Sequence, residues 1–190
     1  MKKIVVLVSG SGSNLERIIE SLAANEIQNA QIEMVIADRD CYGLTRAQNH
    51  GIAQQRVPRG KAFSQRLAAV LPPDVDLIVL AGFLSIISAD LAQQYAGKII
   101  NIHPSLLPKF GGKGMWGHHV HEAALAAGET ESGATVHYVT AGIDEGEIIL
   151  QQKVKITTED TPETLAHKVH QVEYQILPQA INQVLNGTQK

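Results

Sequence analysis

Residues able to manage the negative oxygen of an acyl transfer cluster in the second half of the chain. In the stretch Lys98-Ile-Ile-Asn-Ile-His-Pro-Ser-Leu-Leu-Pro108, Asn101 and His103 stand among isoleucines just before a proline. Polar side chains in an apolar setting cost free energy unless they find partners. Side chains alternate across a strand, so Asn101 and His103 project to one face and Ile100 and Ile102 to the other. An amide offers a neutral donor, and histidine is the side chain whose charge ordinarily changes near neutral pH. Together they could hold and protonate an oxyanion. A strand end whose polar groups are satisfied internally is the plainer alternative.

A second constellation is Thr135-Val-His137-Tyr-Val-Thr-Ala-Gly-Ile-Asp144-Glu-Gly. Thr135 and His137 share a strand face, and Asp144 lies in the following turn, poised to fold back. A carboxylate beside an imidazole favours the protonated ring, which would suit a His103–Asp144 pair. The alternative is a solvated acidic turn of Asp144, Glu145 and Glu147.

A third is Val8-Ser-Gly-Ser-Gly-Ser-Asn-Leu-Glu-Arg17. A glycine-rich turn from a buried strand into a helix exposes backbone N–H groups at the positive end of the helix dipole, which favours an anion such as a phosphate. Gly10 and Gly12 permit close approach, and Ser11, Ser13 and Asn14 add side-chain donors. The dinucleotide fingerprint asks for a small residue where Leu15 stands, although Asp38 keeps a nicotinamide reading open. A tight turn whose serines cap the helix is the bland reading.

His118, His119 and His121 have no accompanying cysteine and read as surface or helix-start histidines rather than a metal site. The single cysteine, Cys41, has no evident activating base and cannot form an internal disulfide, which suits a reducing compartment.

These residues need elements to position them. Apolar runs at Ile4–Ser9, Ile32–Ala37, Asp76–Ala81 and Lys98–His103 read as buried strands, separated by helices near residues 14–24, 43–50, 61–71 and 88–95. That alternation predicts an α/β fold with a doubly wound, mostly parallel, Rossmann-like sheet. After Pro108 come a glycine-rich loop (Gly111–Gly117), a helix to about Ala127, and strands at Ala134–Val139 and Glu147–Ile156. A closing helix begins at Thr161 and Pro162 and ends near Gly187. Its apolar positions Leu165, Val169, Val172, Ile176, Ala180 and Val184 make one packing stripe.

The chain of 190 residues is 44% hydrophobic and 18% charged, with a net charge of −3. That is ordinary for one soluble domain able to bury its own core. No basic stripe suggests nucleic acid, and no apolar run approaches membrane-spanning length. The five-residue run Ile4–Val8 is too short for a signal peptide, so a cytoplasmic protein is expected.

In order along the chain, Ser-Gly-Ser-Gly-Ser-Asn, Leu80-Ala-Gly-Phe83, Asn101-Ile-His-Pro-Ser-Leu-Leu-Pro108 and Thr135-Val-His-Tyr-Val with Asp144-Glu-Gly-Glu-Ile-Ile-Leu-Gln151 together resemble the folate-dependent glycinamide ribonucleotide formyltransferases. The likeness covers nearly the whole chain. It implies transfer of the formyl group of 10-formyltetrahydrofolate, as co-substrate and without a metal, to glycinamide ribonucleotide in purine synthesis. The domain would span 1–190, with a nucleotide-binding half (1–100) and a catalytic and folate-binding half (101–190). By this resemblance Gly12, Ser13 and Asn14 bind the substrate phosphate, and Asn101 and His103 stabilise the tetrahedral intermediate. His103 would be the proton donor tuned by Asp144, while Glu173 and His170 meet the glycinamide. Leu84, Ser85, Ile86 and Ile87, Asn101, and Thr140, Ala141, Gly142, Ile143 and Asp144 would form the folate pocket.

Many relatives carry Met-Arg where Leu84-Ser85 stand, so a charged contact is missing here. Lys61 or Arg59 would meet the folate tail. A monomer or homodimer is expected. Other readings are a formyltransferase or hydrolase of the same fold with another acceptor, or a non-catalytic nucleotide-binding module.

Overall fold

Val5 to Val8 have no solvent exposure at all, which is what a strand covered on both faces demands. They belong to β1 (Lys2–Val8), the third strand of a seven-stranded sheet ordered β3-β2-β1-β4-β5-β6-β7 in the computed structural model, which describes residues 1–187. The others are β2 (Ala30–Ala37), β3 (Gln54–Arg56), β4 (Leu77–Leu80), β5 (Ile99–His103), β6 (Glu131–Tyr138) and β7 (Ile148–Lys155). Strands β1 to β5 pair in parallel, while β6 runs antiparallel to both β5 and β7. The helices are α1 (Ser13–Ala23), α2 (Tyr42–Asn49), α3 (Phe63–Val70), α4 (Ala89–Gln94), α5 (His118–Ala126) and α6 (Pro162–Asn186). The expected doubly wound sheet is therefore present.

Two apolar layers cover it. Ile4, Val6 and Val8 pack with Leu15 and Ile18 of α1 and with Leu165, Val169 and Ile176 of α6. Val5, Leu7, Ile78 and Ile99 pack on the opposite side with Phe63 and Leu67 of α3 and Leu91 of α4. In β5, Ile100 and Ile102 join the first layer and Ile99 the second, so alternation places Asn101 and His103 on the α3–α4 side.

Helix α6 starts on a capping box in which Thr161 and Thr164 each accept from the other's backbone N–H, with Pro162 in the first turn. The foreseen stripe is buried from Leu165 to Ala180, with Val184 half-buried. β3 escapes the sequence pattern: Gln-Gln-Arg carries no apolar signal and adds only an outer edge to β2. Among the described residues no helix is long and apolar enough to cross a membrane.

Candidate active site

The last residues of β5 open the site. β6 runs antiparallel beside β5 and places His137 opposite Asn101 and Thr135 opposite His103, so all four face the same way. Asn101 Nδ2 lies 3.2 Å from His137 Nε2, and His137 Nδ1 is 3.0 Å from the Tyr138 carbonyl. In the tautomer that fits, His137 donates through Nδ1 and accepts one Asn101 N–H, leaving the second Asn101 hydrogen for a ligand. Thr135 is fully engaged: its hydroxyl donates to the Ser105 carbonyl and accepts from Leu107 N–H and Gln151 Nε2. It braces the Pro104–Pro108 segment.

His103 is buried and does not stand open. Its Nε2 donates to the Phe110 carbonyl at 2.8 Å, and its Nδ1 lies 3.5 Å from Asp144 Oδ2. An oxyanion therefore competes with the Phe110 carbonyl or approaches from the Asp144 side. For His103 the strand end is thus satisfied internally, the plainer of the two sequence readings. One ring nitrogen is hydrogen-bonded to a backbone carbonyl and the other faces a carboxylate.

Asp144 does fold back, as one of the two sequence readings required. It adopts a left-handed backbone (φ 57°), which aspartate tolerates better than most residues. Oδ1 lies 3.6 Å from His137 Nε2, and Oδ2 accepts Gly112 N–H at 3.0 Å. Burial alone would push this carboxyl up; the His103 charge and the Gly112 N–H act against it, and the carboxyl stays below the usual range.

At the carboxyl end of β1, two strands from β5 in the sheet, α1 begins without a side-chain cap, on Gly12 in a left-handed conformation (φ 72°). The bland reading, serines capping the helix, is not what the loop does. Asn14 is buried with no hydrogen-bond partner for its Oδ1, an acceptor that suits a sugar hydroxyl; a half-turn of the amide would present N–H groups to an anion.

Two helices close the rim. Glu173 of α6 is 4% exposed and accepts from His170 Nδ1 at 2.5 Å. That bond, acting against desolvation, holds the His170 imidazole above its usual value. His121 of α5 is a further correction, since it is buried rather than at the surface, unlike exposed His118 and His119. Its Nδ1 has no partner. Burial, with the nearby charges of His170, His118 and His103, pushes its imidazole down to about 4. Among the described residues no group of three potential ligands could hold a metal.

Asp38 settles the nicotinamide alternative. Ser9 Oγ donates to its Oδ1 at 2.7 Å, Ser85 Oγ donates to its Oδ2 at 2.6 Å, and Arg39 donates to both oxygens. Burial would raise this carboxyl, but Arg39, Ser85 and Ser9 hold it below the ordinary range. No lone pair is aimed at a ribose. Asp38 instead ties the loop after β4 to the ends of β1 and β2, with Leu84 N–H donating to Ser9 Oγ at 2.9 Å.

A family model described as formyl transferase matches residues 2–181. The chain belongs to the formyl transferase family. Over 195 residues it is 42% identical to the phosphoribosylglycinamide formyltransferase of Haemophilus influenzae, covering 98% of this chain and 89% of that one. The solved phosphoribosylglycinamide formyltransferase of Coxiella burnetii superposes with a TM-score of 0.86 at 42% identity, over 95% of this chain and 85% of that one. The chain also matches the human trifunctional purine biosynthetic protein adenosine-3, at 39% identity over 98% of its own length and 18% of that protein.

Within this formyltransferase the loop after β4 exposes Leu84 and Ile86, with Ser85 half-buried on Asp38. Ile87 is 6% exposed and packs in the α3–α4 core layer. Thr140, Ala141 and Ile143 are exposed in the turn between β6 and β7, and Gly142 is half-buried there. Lys61 and Arg59 are both exposed beside Gly60 at the mouth of α3. Sequence reasoning missed the Phe110 carbonyl, the Asp38 network and the burial of His121. Only the last left a trace, since His121 and Ala124 share a helix face three residues apart.

Proposed function

We propose that the chain transfers the formyl group of 10-formyltetrahydrofolate to the amine of glycinamide ribonucleotide, a step of purine biosynthesis. The amine attacks the formyl carbon directly, without a covalent enzyme intermediate. The carbonyl oxygen gains the negative charge and is held by the free N–H of Asn101 and by cationic His103. Collapse breaks the bond to the folate nitrogen; the proton lost by the attacking amine is balanced by one delivered to that nitrogen through His103. Asp144 orients His103 and offsets its charge.

The acceptor's phosphate goes to Gly12, Ser13 and Asn14, and its glycinamide end to Glu173 and His170. Folate packs on Leu84, Ser85 and Ile86 and on residues 140–144, with Lys61 or Arg59 towards its acidic tail. Holding both reactants side by side removes much of the entropic barrier of a bimolecular step.

One observation carries the reading: an amide (Asn101) and an imidazole (His103) share a face at the carboxyl end of β5, with Asp144 folded over between His103 and His137. Ligands of open α/β sheets bind beyond such strand ends. The test is a formyl-transfer assay with glycinamide ribonucleotide and 10-formyltetrahydrofolate beside a control without acceptor. Formylated product only when acceptor is present is expected. Hydrolysis at the same rate in the control would replace this reading with a hydrolase.

A further inference from the structure

We infer that Arg46 of α2 is a positioning residue that sets the affinity for the acceptor's phosphate by aiming the amides of the glycine-serine loop. The inference rests on the ribonucleotide reading above and adds to it a residue from a different element.

Two consecutive carbonyls of the loop are drawn towards α2. Gly43 N–H donates to the Gly10 carbonyl at 3.0 Å, and Arg46 Nε donates to the Ser11 carbonyl at 2.7 Å. In a trans peptide the C=O and the following N–H point in opposite directions. The Ser11 and Gly12 N–H groups are thereby directed away from α2. Consecutive N–H groups aimed to one side beside an uncapped helix start make an anion-binding concavity. A guanidinium on the carbonyl also polarises that peptide and strengthens its N–H as a donor.

Arg46 is itself fixed. Its Nη1 lies 3.4 Å from Glu16 Oε2, and its guanidinium covers the Tyr42 ring at 4.8 Å from the centroid. His50 Nε2 holds the other Glu16 oxygen at 2.7 Å. Packing allows no slack, because a Cβ on Gly12 would come within 2.7 Å of Gly43 Cα and 3.2 Å of Arg46 Cδ. A separate observation points to a ligand at this spot: Asn14, in the first turn of α1, is buried with its Oδ1 unpartnered.

The experiment compares Arg46→Ala, Arg46→Lys and Arg46→Gln with wild type and with Asn14→Ala, measuring kcat, both KM values and thermal stability. In parallel, the Ser11 and Gly12 amides are followed by NMR during titration with inorganic phosphate. Arg46→Ala is expected to raise KM for the ribonucleotide about tenfold or more. It leaves kcat and the KM for the formyl donor within about twofold and abolishes the Gly12 response to phosphate. Arg46→Lys recovers most of the affinity, and Arg46→Gln, the gentlest change if the alanine variant folds poorly, lies between. An unchanged ribonucleotide KM, or a Gly12 amide that responds to phosphate as in wild type, overturns the clamp. Equal losses in kcat and both KM values reduce Arg46 to a structural residue and overturn it too. If phosphate moves no loop amide in wild type and Asn14→Ala leaves the ribonucleotide KM unchanged, the phosphate assignment itself is overturned, and the clamp with it.

Discussion

Asp144 Oδ2 faces His103 Nδ1 at 3.5 Å while also accepting Gly112 N–H, so one carboxylate oxygen serves both the imidazole and the loop that follows Phe110. The other oxygen faces His137, the residue that holds Asn101. Both groups assigned to the oxyanion are therefore organised around a single turn residue. Disturbing Asp144 disturbs the pair.

For Asp144→Asn, kcat is expected to fall by about 10², within the range that a positioned general acid supplies, with both KM values within a few-fold. Stability carries a second signature. Because the folded-state pKa of Asp144 is lowered, its stabilisation is complete above the ordinary carboxylate value of 3.8 and is lost as pH falls through the lower folded value. Urea midpoints of wild type and variant should differ at pH 7, and the gap should narrow as pH falls below 3.8. A constant difference would remove Asp144 from the ionised, partnered role.

Asn101→Ala removes one oxyanion donor, a loss typically worth about 10²–10³ in kcat, with substrate binding largely kept. It also strips His137 Nε2 of its hydrogen bond. His137→Gln separates the two effects: it can still engage Asn101 and should cost less than about tenfold. Steady-state kinetics of both variants decide this. Near wild-type turnover in Asn101→Ala would end its assigned role.

The strands and the site were legible to different degrees for physical reasons. Buried parallel strands announce themselves as Val/Ile/Leu runs, and alternation along β5 already separated Asn101 and His103 from Ile100 and Ile102. Whether Asp144 turns inward was not legible, since it depends on close packing between loops: a Cβ on Gly111 would meet Leu107 Cδ2 at 2.6 Å and Asp144 Cβ at 3.3 Å. The Asp38 and Arg46 contacts join segments 29 to 47 residues apart, and no local pattern encodes such partners. β3 was silent because an edge strand of three mostly exposed polar residues carries no hydrophobic period.

The His170–Glu173 pair predicts a stability effect on the alkaline side. With its folded pKa raised, His170 contributes fully below the ordinary imidazole value of 6.5, and that contribution is lost as pH rises through the higher folded value. Glu173→Gln removes the buried charge. It should lower the denaturation midpoint more at pH 6 than at pH 9 and raise KM for the ribonucleotide more than KM for the formyl donor. A midpoint difference independent of pH would show that the pair is not an ion pair in solution.

His121 makes the opposite prediction, on the acid side. Its folded pKa is pushed down to about 4 from the ordinary 6.5, because burial disfavours the charged ring. Between those values the unfolded chain binds a proton that the folded chain refuses, so stability falls as pH falls. A gap of that size corresponds to roughly 3 kcal/mol when fully expressed. His121→Leu abolishes this pH dependence and also removes an unpartnered buried nitrogen. Denaturation at pH 7 and pH 4 should therefore show the variant at least as stable as wild type at neutral pH and clearly more stable in acid. Parallel losses in the two proteins would mean that His121 takes up its proton without unfolding. The neighbouring charges of His170, His118 and His103 all act against that protonation.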